Sequence, residues 1–392
     1  MNSLFRSQWR VIKQDKWLFS SLTWIPVLLS LSIWWIFSQG IARDLPIGVV
    51  DLQHSKLSRQ LIHNIDATSA LNVFRIYPDS TSAKNELVSN SIYAYVVIPK
   101  HTDRDIYLNT PPKVTVFYNS QFILIGKVIK SAMLKAHGTF NVQVSAIKQL
   151  AKGDITLQTA IAHSVTIKSQ ITALFNKNSN YSQFLVSAIV PALWQISIVV
   201  STVLLLTANY RLFGLRKLVG VSPLKSLSLL MAFYFPFFML QGALFLFCFY
   251  DLLAWPMNGS ILLLLFIQFI TLIACFIMGN FFFFLSLDSA RAMSMAGAFT
   301  APSFAFMGVT FPVSDMNPVA QIWRNLLPIS HYIEAQINQA SYGLNAWQTL
   351  QPFLLAMLGY SLPLLLVLLL VKKHLRLVEY STGGKNETNK FN

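Results

Sequence analysis

Residues 184–207 read FLVSAIVPALWQISIVVSTVLLLT, and no charged side chain interrupts them. Four more runs of this kind follow, at Leu227–Phe249, Ile261–Leu285, Met293–Phe311 and Pro352–Val371. Each has the roughly 20 residues that a helix needs to cross the hydrocarbon core of a bilayer. Lipid offers the backbone no hydrogen-bond partner, so such runs must be helices. The stretch Phe184–Val371 therefore predicts a five-helix transmembrane bundle, and everything else in the chain is arranged around it.

Composition agrees with that reading. The 392 residues are 54% hydrophobic and only 11% charged, against about 25% charged in an average soluble protein. The net charge of +15 does not point to nucleic acid, because the basic residues collect at the flanks of the apolar runs and over one soluble segment. Cys248 and Cys275 both fall inside apolar runs, so neither a disulfide framework nor a thiolate metal site is readable.

The segment 1–38 opens with a basic, polar stretch, Met1–Lys16, carrying Arg6, Arg10, Lys13 and Lys16. Trp9, Ile12 and Lys16 recur at helical spacing, which suits a helix lying on the bilayer surface. Leu18–Ser38 is apolar and rich in Trp. It is too long for the core of a signal peptide and lacks a small-x-small cleavage site. It is read as an uncleaved first transmembrane helix, kinked at Pro26.

Between the first and second spans lies a segment of soluble composition, 39–183. Pro46–Asp51, Leu71–Tyr77, Ile92–Ile98 and Lys113–Tyr118 read as strands. Ser55 reads as an N-cap before Leu57, Leu61, Ile62 and Ile65, and Ser80–Ser89 as a second helix. Strands alternating with helices predict a small α/β domain. From Gln121 a helical stripe follows (Phe122, Ile125, Val128, Ile129, Ala132, Met133), with Gly153 as a stop. Thr156–Asn176 reads as one more helix. These two helices are read as core packing plus a stalk returning to the membrane.

Charge sets the orientation. With the N-terminus inside, its four basic residues, Arg211, Arg216, Lys217 and Lys225, Arg291, and the basic tail 372–392 (Lys372, Lys373, Arg376, Lys385, Lys390) all lie inside. Only Arg324 falls in a short outer loop. That is the positive-inside arrangement. It gives six spans, both termini cytoplasmic, and the α/β insertion outside.

Catalytic motifs are missing. No Gly-x-x-x-x-Gly-Lys-Ser/Thr loop occurs, and Gly383-Gly384-Lys385 lacks the spacing to cradle phosphates. His-Glu-x-x-His, Cys-x-x-Cys and Gly-x-Ser-x-Gly are absent too. His54, His63 and His101 match no metal-ligand spacing. Asp51 with His54 and Ser55 reads as a strand-end carboxylate before a capped helix, not a hydrolytic trio. No catalytic residue, resident cofactor or metal is expected. The spans hold almost no ionisable group, which argues against an ion-coupled carrier. Gln195, Gln268 and Asn280 are the main polar residues within them and are read as interhelical hydrogen bonders. Ala292, Ala296 and Thr300 suit close helix approach.

One N-terminal span, a large outer α/β domain and five further spans resemble the ABC-2 type transporter permeases, in the branch with a large extracytoplasmic insertion. Three passages carry the likeness. Leu45-Pro-Ile-Gly-Val-Val-Asp51 with His54-Ser55 and Leu57-Ser58, followed by Tyr95-Val-Val-Ile-Pro99, resembles that branch's strand and helix start. Gln53 stands where the branch often has a second Asp. Phe311-Pro312, Met316-Asn-Pro318 and Leu327-Pro328-Ile-Ser-His331-Tyr332 resemble the outer re-entrant element, near 312–340, before the last span. Arg211, Gly214, Arg216, Lys217, Leu218 and Pro223 fit the inner loop where such permeases contact their ATPase, without the usual acidic residues.

The resemblance implies the permease subunit of an ATP-binding cassette exporter. It would form its path as a homo- or heterodimer, and a separate ATPase subunit holding ATP and Mg would drive it. The substrate would be a hydrophobic or amphipathic small molecule or a lipid-linked compound, and the site a bacterial inner membrane. The outer domain would either dock a periplasmic adaptor leading to an outer-membrane duct, or only shape the exit. The competing expectation is a membrane-anchored receptor or scaffold that works through its outer domain.

Overall fold

The structure is a computed structural model that describes residues 2–40, 43–108, 110, 112–150, 175–176 and 180–388. It divides into two compact units: Met1–Gly40 with Ala173–Asn392, and Ile41–Thr172. The helix expected over Thr156–Asn176 lies, but for its last two residues, outside the described residues, as does Gly153.

The chain begins with α1 (Asn2–Gln14), which buries Gln8, Val11 and Ile12 against the membrane unit. The Trp9 ring meets Phe233 and Phe237 edge-on, at 6.0 and 6.2 Å between centroids. Asp15 ends this helix and caps the next, accepting from the backbone N–H groups of Trp17 and Leu18. The first span is a pair, α2 (Lys16–Leu22) and α3 (Trp24–Ile36), bent by 47°. The bend falls at Thr23, not at Pro26 as expected. Proline disturbs the helix four residues upstream, because it cannot donate to that carbonyl. Here that carbonyl is Leu22, and Gln241 Nε2 donates to it instead, at 2.9 Å.

The described residues of the second unit fold around a four-stranded sheet of order β2-β1-β3-β4. Its elements are β1 (Leu45–Asp51), α4 (Lys56–Asp66), β2 (Leu71–Tyr77), α5 (Ser80–Val88), β3 (Ala94–Ile98), α6 (Thr102–Tyr107), β4 (Thr115–Tyr118) and α7 (Ile123–Leu150). β1 runs parallel to β2 and β3, and β4 pairs antiparallel with β3. Strand β1 is buried on both faces, as the centre of a parallel sheet must be. Ile47 and Val49 pack with Leu61 and Ile65 of α4 and with Ile129, Met133 and Phe140 of α7. Val50 packs on the other face with Tyr77, Ala83, Ile92 and Tyr95. The stripe on α7 is therefore sheet core. Helix α6 was not expected from the sequence.

The membrane unit continues with α8 (Tyr181–Val219), α9 (Pro223–Phe247), a π turn (Cys248–Leu252), α10 (Ile261–Ser286), α11 (Ser289–Thr300), α12 (Ser303–Phe306), α13 (Pro318–Leu326), α14 (Pro328–Ala340), α15 (Ala346–Leu358) and α16 (Ser361–Thr388). Among the described residues, four stretches are long and apolar enough to cross a bilayer: Tyr181–Val219, Pro223–Leu252, Ile261–Ser286 and Ala346–Leu377. The bent pair α2–α3 makes up to five. The run Met293–Phe311, expected as one crossing, is not a continuous helix. It turns at Ala301-Pro302, and only the four residues of α12 follow. The segment from Arg211 to Pro223, expected as an inner loop, is also largely helical, since α8 runs to Val219 and Pro223 opens α9.

Helix α10 is the hub of the bundle, in contact with α8, α9, α11, α14, α15 and α16. Its meeting with α8 is close: a Cβ on Gly279 would stand 2.5 Å from Thr202 Cβ. Small residues set such approaches between membrane helices.

Candidate functional site

The candidate residues of the membrane unit fall into two places, a hairpin between α8 and α9 and the segment α13–α14. At the hairpin, α8 is interrupted at Gly214, whose backbone (φ 72°, ψ 169°) is non-helical. That region is essentially open only to glycine. Gly220, at φ 59°, ends the helix, and Pro223 starts α9 at a position where its missing N–H costs nothing. Between the two glycines Leu215, Leu218 and Val219 are buried, while Arg216 and Lys217 are exposed. Arg211, Leu212 and Phe213 are exposed on the other side of the break, and Val221 at the tip is bare. The structure thus brings Arg211, Gly214, Arg216, Lys217, Leu218 and Pro223 into one hairpin. Cations and apolar tips face outward and Leu218 anchors it.

Directly before the hairpin sits a polar cluster that sequence reasoning missed. Gln8 of α1 and Asn209 of α8 exchange amide hydrogen bonds: Gln8 Nε2 donates to Asn209 Oδ1 at 2.8 Å, and Asn209 Nδ2 donates to Gln8 Oε1 at 3.1 Å. Tyr234 of α9 donates its hydroxyl to Gln8 Oε1 at 2.9 Å. The three are 3%, 2% and 0% exposed. Nothing local sets Gln8 apart from the other polar residues of α1, and no local spacing links residues 201 and 226 positions apart.

The segment expected as an outer element is α13–α14. Asn317 caps α13 by accepting from Ala320 N–H, and Pro318 and Pro328 begin the two helices. Phe311 and Pro312 precede them and are exposed. Gln195 of α8 reaches the start of α14. Its Oε1 accepts from Ile329 N–H at 2.9 Å, and its Nε2 donates to Ser303 Oγ at 3.0 Å. Gln268 Nε2 donates to Gly242 O and to Tyr332 Oη, at 3.1 and 3.0 Å. Gln336 Nε2 donates to Ser187 O at 3.0 Å. Glutamines thus join α14 to the long helices, as read for Gln195 and Gln268. Asn280 differs: it donates to Phe276 O of its own helix. Buried Arg324 pairs with Glu334 at 2.5 Å. His331 Nε2 lies 3.0 Å from Asn325 O, and burial lowers its pKa.

In the α/β unit, Asp51 Oδ1 accepts from the N–H groups of Gln53 and His54, both at 3.0 Å, and its Oδ2 accepts from Ser58 Oγ at 2.7 Å. Ser55 caps α4 and donates to Asp103 Oδ1 at 2.8 Å. The His54 ring is exposed, and Pro99 ends β3, its carbonyl accepting from Thr102 Oγ1. These contacts fix a strand end and a helix start. Among the described residues no group of three His, Cys, Asp or Glu is placed to hold a metal ion.

An apolar cavity of about 540 Å3 opens between α3, α8 and α9, lined by Val27, Trp34, Trp194, Gln241, Cys248 and Phe249 among others.

The chain matches the ABC-2 family transporter protein family over residues 16–370. No curated protein and no solved structure matches it. The protein belongs to the ABC-2 transporter family. It is a multi-pass membrane protein and the permease subunit of an ABC transporter, a transport subunit that is generally not an enzyme. Membership in the family implies an ABC ATPase as its partner.

Proposed function

We propose that this permease works as a dimer, homo- or heteromeric, and exports a hydrophobic or amphipathic small molecule or a lipid-linked compound across a bacterial inner membrane. A separate ATPase subunit binds ATP and Mg on the inner side and presses on the hairpin Arg211–Pro223. The chain crosses the bilayer six times: as α2–α3, α8, α9 with its π turn, α10, the short α11–α12, and α15–α16. Both termini are cytoplasmic, and Ile41–Thr172 lies outside, where it docks a periplasmic adaptor and outer-membrane duct or shapes the exit. The element α13–α14, with Phe311, Pro312, Pro318, Pro328 and His331, closes the outer end.

The observation that carries this reading is the hairpin. Its exposed side chains are basic or apolar, its glycines hold it in a fixed break, and no phosphate-binding loop occurs in the chain. A partner must bring the ATP chemistry and meet that surface. The apolar cavity beside α3 suits an apolar substrate better than a charged one. Affinity purification from native membranes tests the reading. The wild-type chain should bring down a stoichiometric ATPase. The triple variant Arg211→Glu, Arg216→Glu, Lys217→Glu should insert normally and lose it. An ATPase retained by the triple variant would remove the hairpin's role.

A further inference from the structure

The amide pair of Gln8 and Asn209 is a buried polar contact that ties α1 to α8. Every hydrogen-bonding atom needed is supplied within the cluster. Gln8 Nε2 and Oε1, Asn209 Oδ1 and the Tyr234 hydroxyl are used by one another, and Asn209 Nδ2 also donates to Leu205 O at 2.8 Å. Apolar packing between helices tolerates sliding, because its energy is spread over many weak contacts. A buried amide pair does not slide. A shift that breaks it leaves Gln8 Nε2 and Asn209 Oδ1 without partners in a buried place, which is costly.

The position gives this rigidity a use. Asn209 stands two residues before Arg211 and five before the break at Gly214. The Tyr234 hydroxyl brings in α9, which begins on the far side of the hairpin at Pro223. The cluster therefore clamps three pieces together: the helix that enters the hairpin, the helix that leaves it, and α1. Trp9, on the next position of α1, adds edge contacts to Phe233 and Phe237 of α9. Beyond α1, the Asp15 cap ties it directly to α2 and the first span.

We infer that Gln8, Asn209 and Tyr234 are positioning residues for transport. They form a joint that makes α1 follow the hairpin, so that a push on Arg211–Pro223 reaches the first span through α1 as well as along α8 and α9. This rests on the reading of the hairpin as the ATPase contact, and goes beyond it by assigning the route to the first span. Without the joint the hairpin still moves, and α1 is left behind.

The test is hydrogen–deuterium exchange on the full chain in complex with its co-purified ATPase, with and without ATP and vanadate. In the wild type both the 214–222 segment and α1 should change exchange on nucleotide trapping. In Asn209→Leu and in Gln8→Leu the hairpin should still respond, while the response of α1 falls at least about fivefold. The exchanged pair Gln8→Asn with Asn209→Gln keeps the amide chemistry and should restore most of it. An α1 response that survives in Asn209→Leu overturns the joint. So does a loss that affects hairpin and α1 alike, which marks a merely structural role. A wild-type hairpin that ignores nucleotide would instead defeat the ATPase-contact reading, a separable failure.

Discussion

Gln195 illustrates what one polar residue does inside an apolar helix. It is fully buried, and its two amide atoms serve Ile329 N–H and Ser303 Oγ. Leucine would fit its volume but leave a buried backbone N–H without a partner. Gln195→Leu should cost about 1–3 kcal/mol, read as a lower Tm of the purified chain. His137 makes the equivalent point for a titratable group. It lies on α7 in the α/β unit, its Nε2 is buried without a partner among the described residues, and burial lowers its pKa below 6.5. The folded state therefore binds fewer protons than the unfolded state in the window from 6.5 down to that lowered value. Its neutral form is present in full above pH 6.5, and the unit loses stability as pH falls through that window. Exchange protection of α7, measured from pH 7.5 to 5, should drop, and His137→Gln should flatten the drop.

At the scale of elements, the hairpin between α8 and α9 depends on two glycines that differ in a measurable way. Both sit in backbone regions closed to other residues. A Cβ on Gly214 would meet nothing within 4 Å, whereas on Gly220 it would stand 2.6 Å from Ser226 Oγ. Gly214→Ala should carry backbone strain alone, about 1–3 kcal/mol. Gly220→Ala should lower Tm further. Adding Ser226→Ala should recover the difference between the two glycine variants and leave the strain. Equal effects in all three would show that the hairpin rearranges freely. The first span gives a second lesson about elements. Pro26 was legible as a kink, but the break appears at Thr23, because the bond that proline removes belongs to Leu22 and Gln241 supplies it from another helix.

The whole molecule is a membrane unit interrupted by an α/β insertion. Within the membrane unit, Tyr181 N–H donates to Gly40 O, so the start of α8 lies beside the end of the first span. Orientation can be measured directly. In a Cys248→Ser, Cys275→Ala background, Lys84→Cys on α5 and Val221→Cys at the hairpin tip place thiols on exposed positions. A membrane-impermeant maleimide should label Lys84→Cys in intact spheroplasts, and Val221→Cys only after the membrane is opened. The opposite pattern would invert the topology drawn from charge.

The sequence alone determined the elements whose cause is local. Apolar runs at Phe184–Thr207 and Ile261–Leu285 had to be helices because lipid leaves the backbone no other partner. Ser55 had to cap, and the alternation from Leu45 to Tyr118 had to give a sheet with helices. The family likeness in the Pro-rich passage from Phe311 to Tyr332 was legible as well. Tertiary structure decided whatever depends on partners distant in the chain. Met293–Phe311 is apolar enough to span, yet it turns at Pro302, and Gln195 bonds both to Ser303 just beyond that turn and to the start of α14. The stripe on α7 read equally as stalk or core until the sheet took its place beneath it. Gln8, Asn209 and Tyr234 gave no sign of one another. A hydrogen bond depends on distance in space, and a sequence records only distance along the chain.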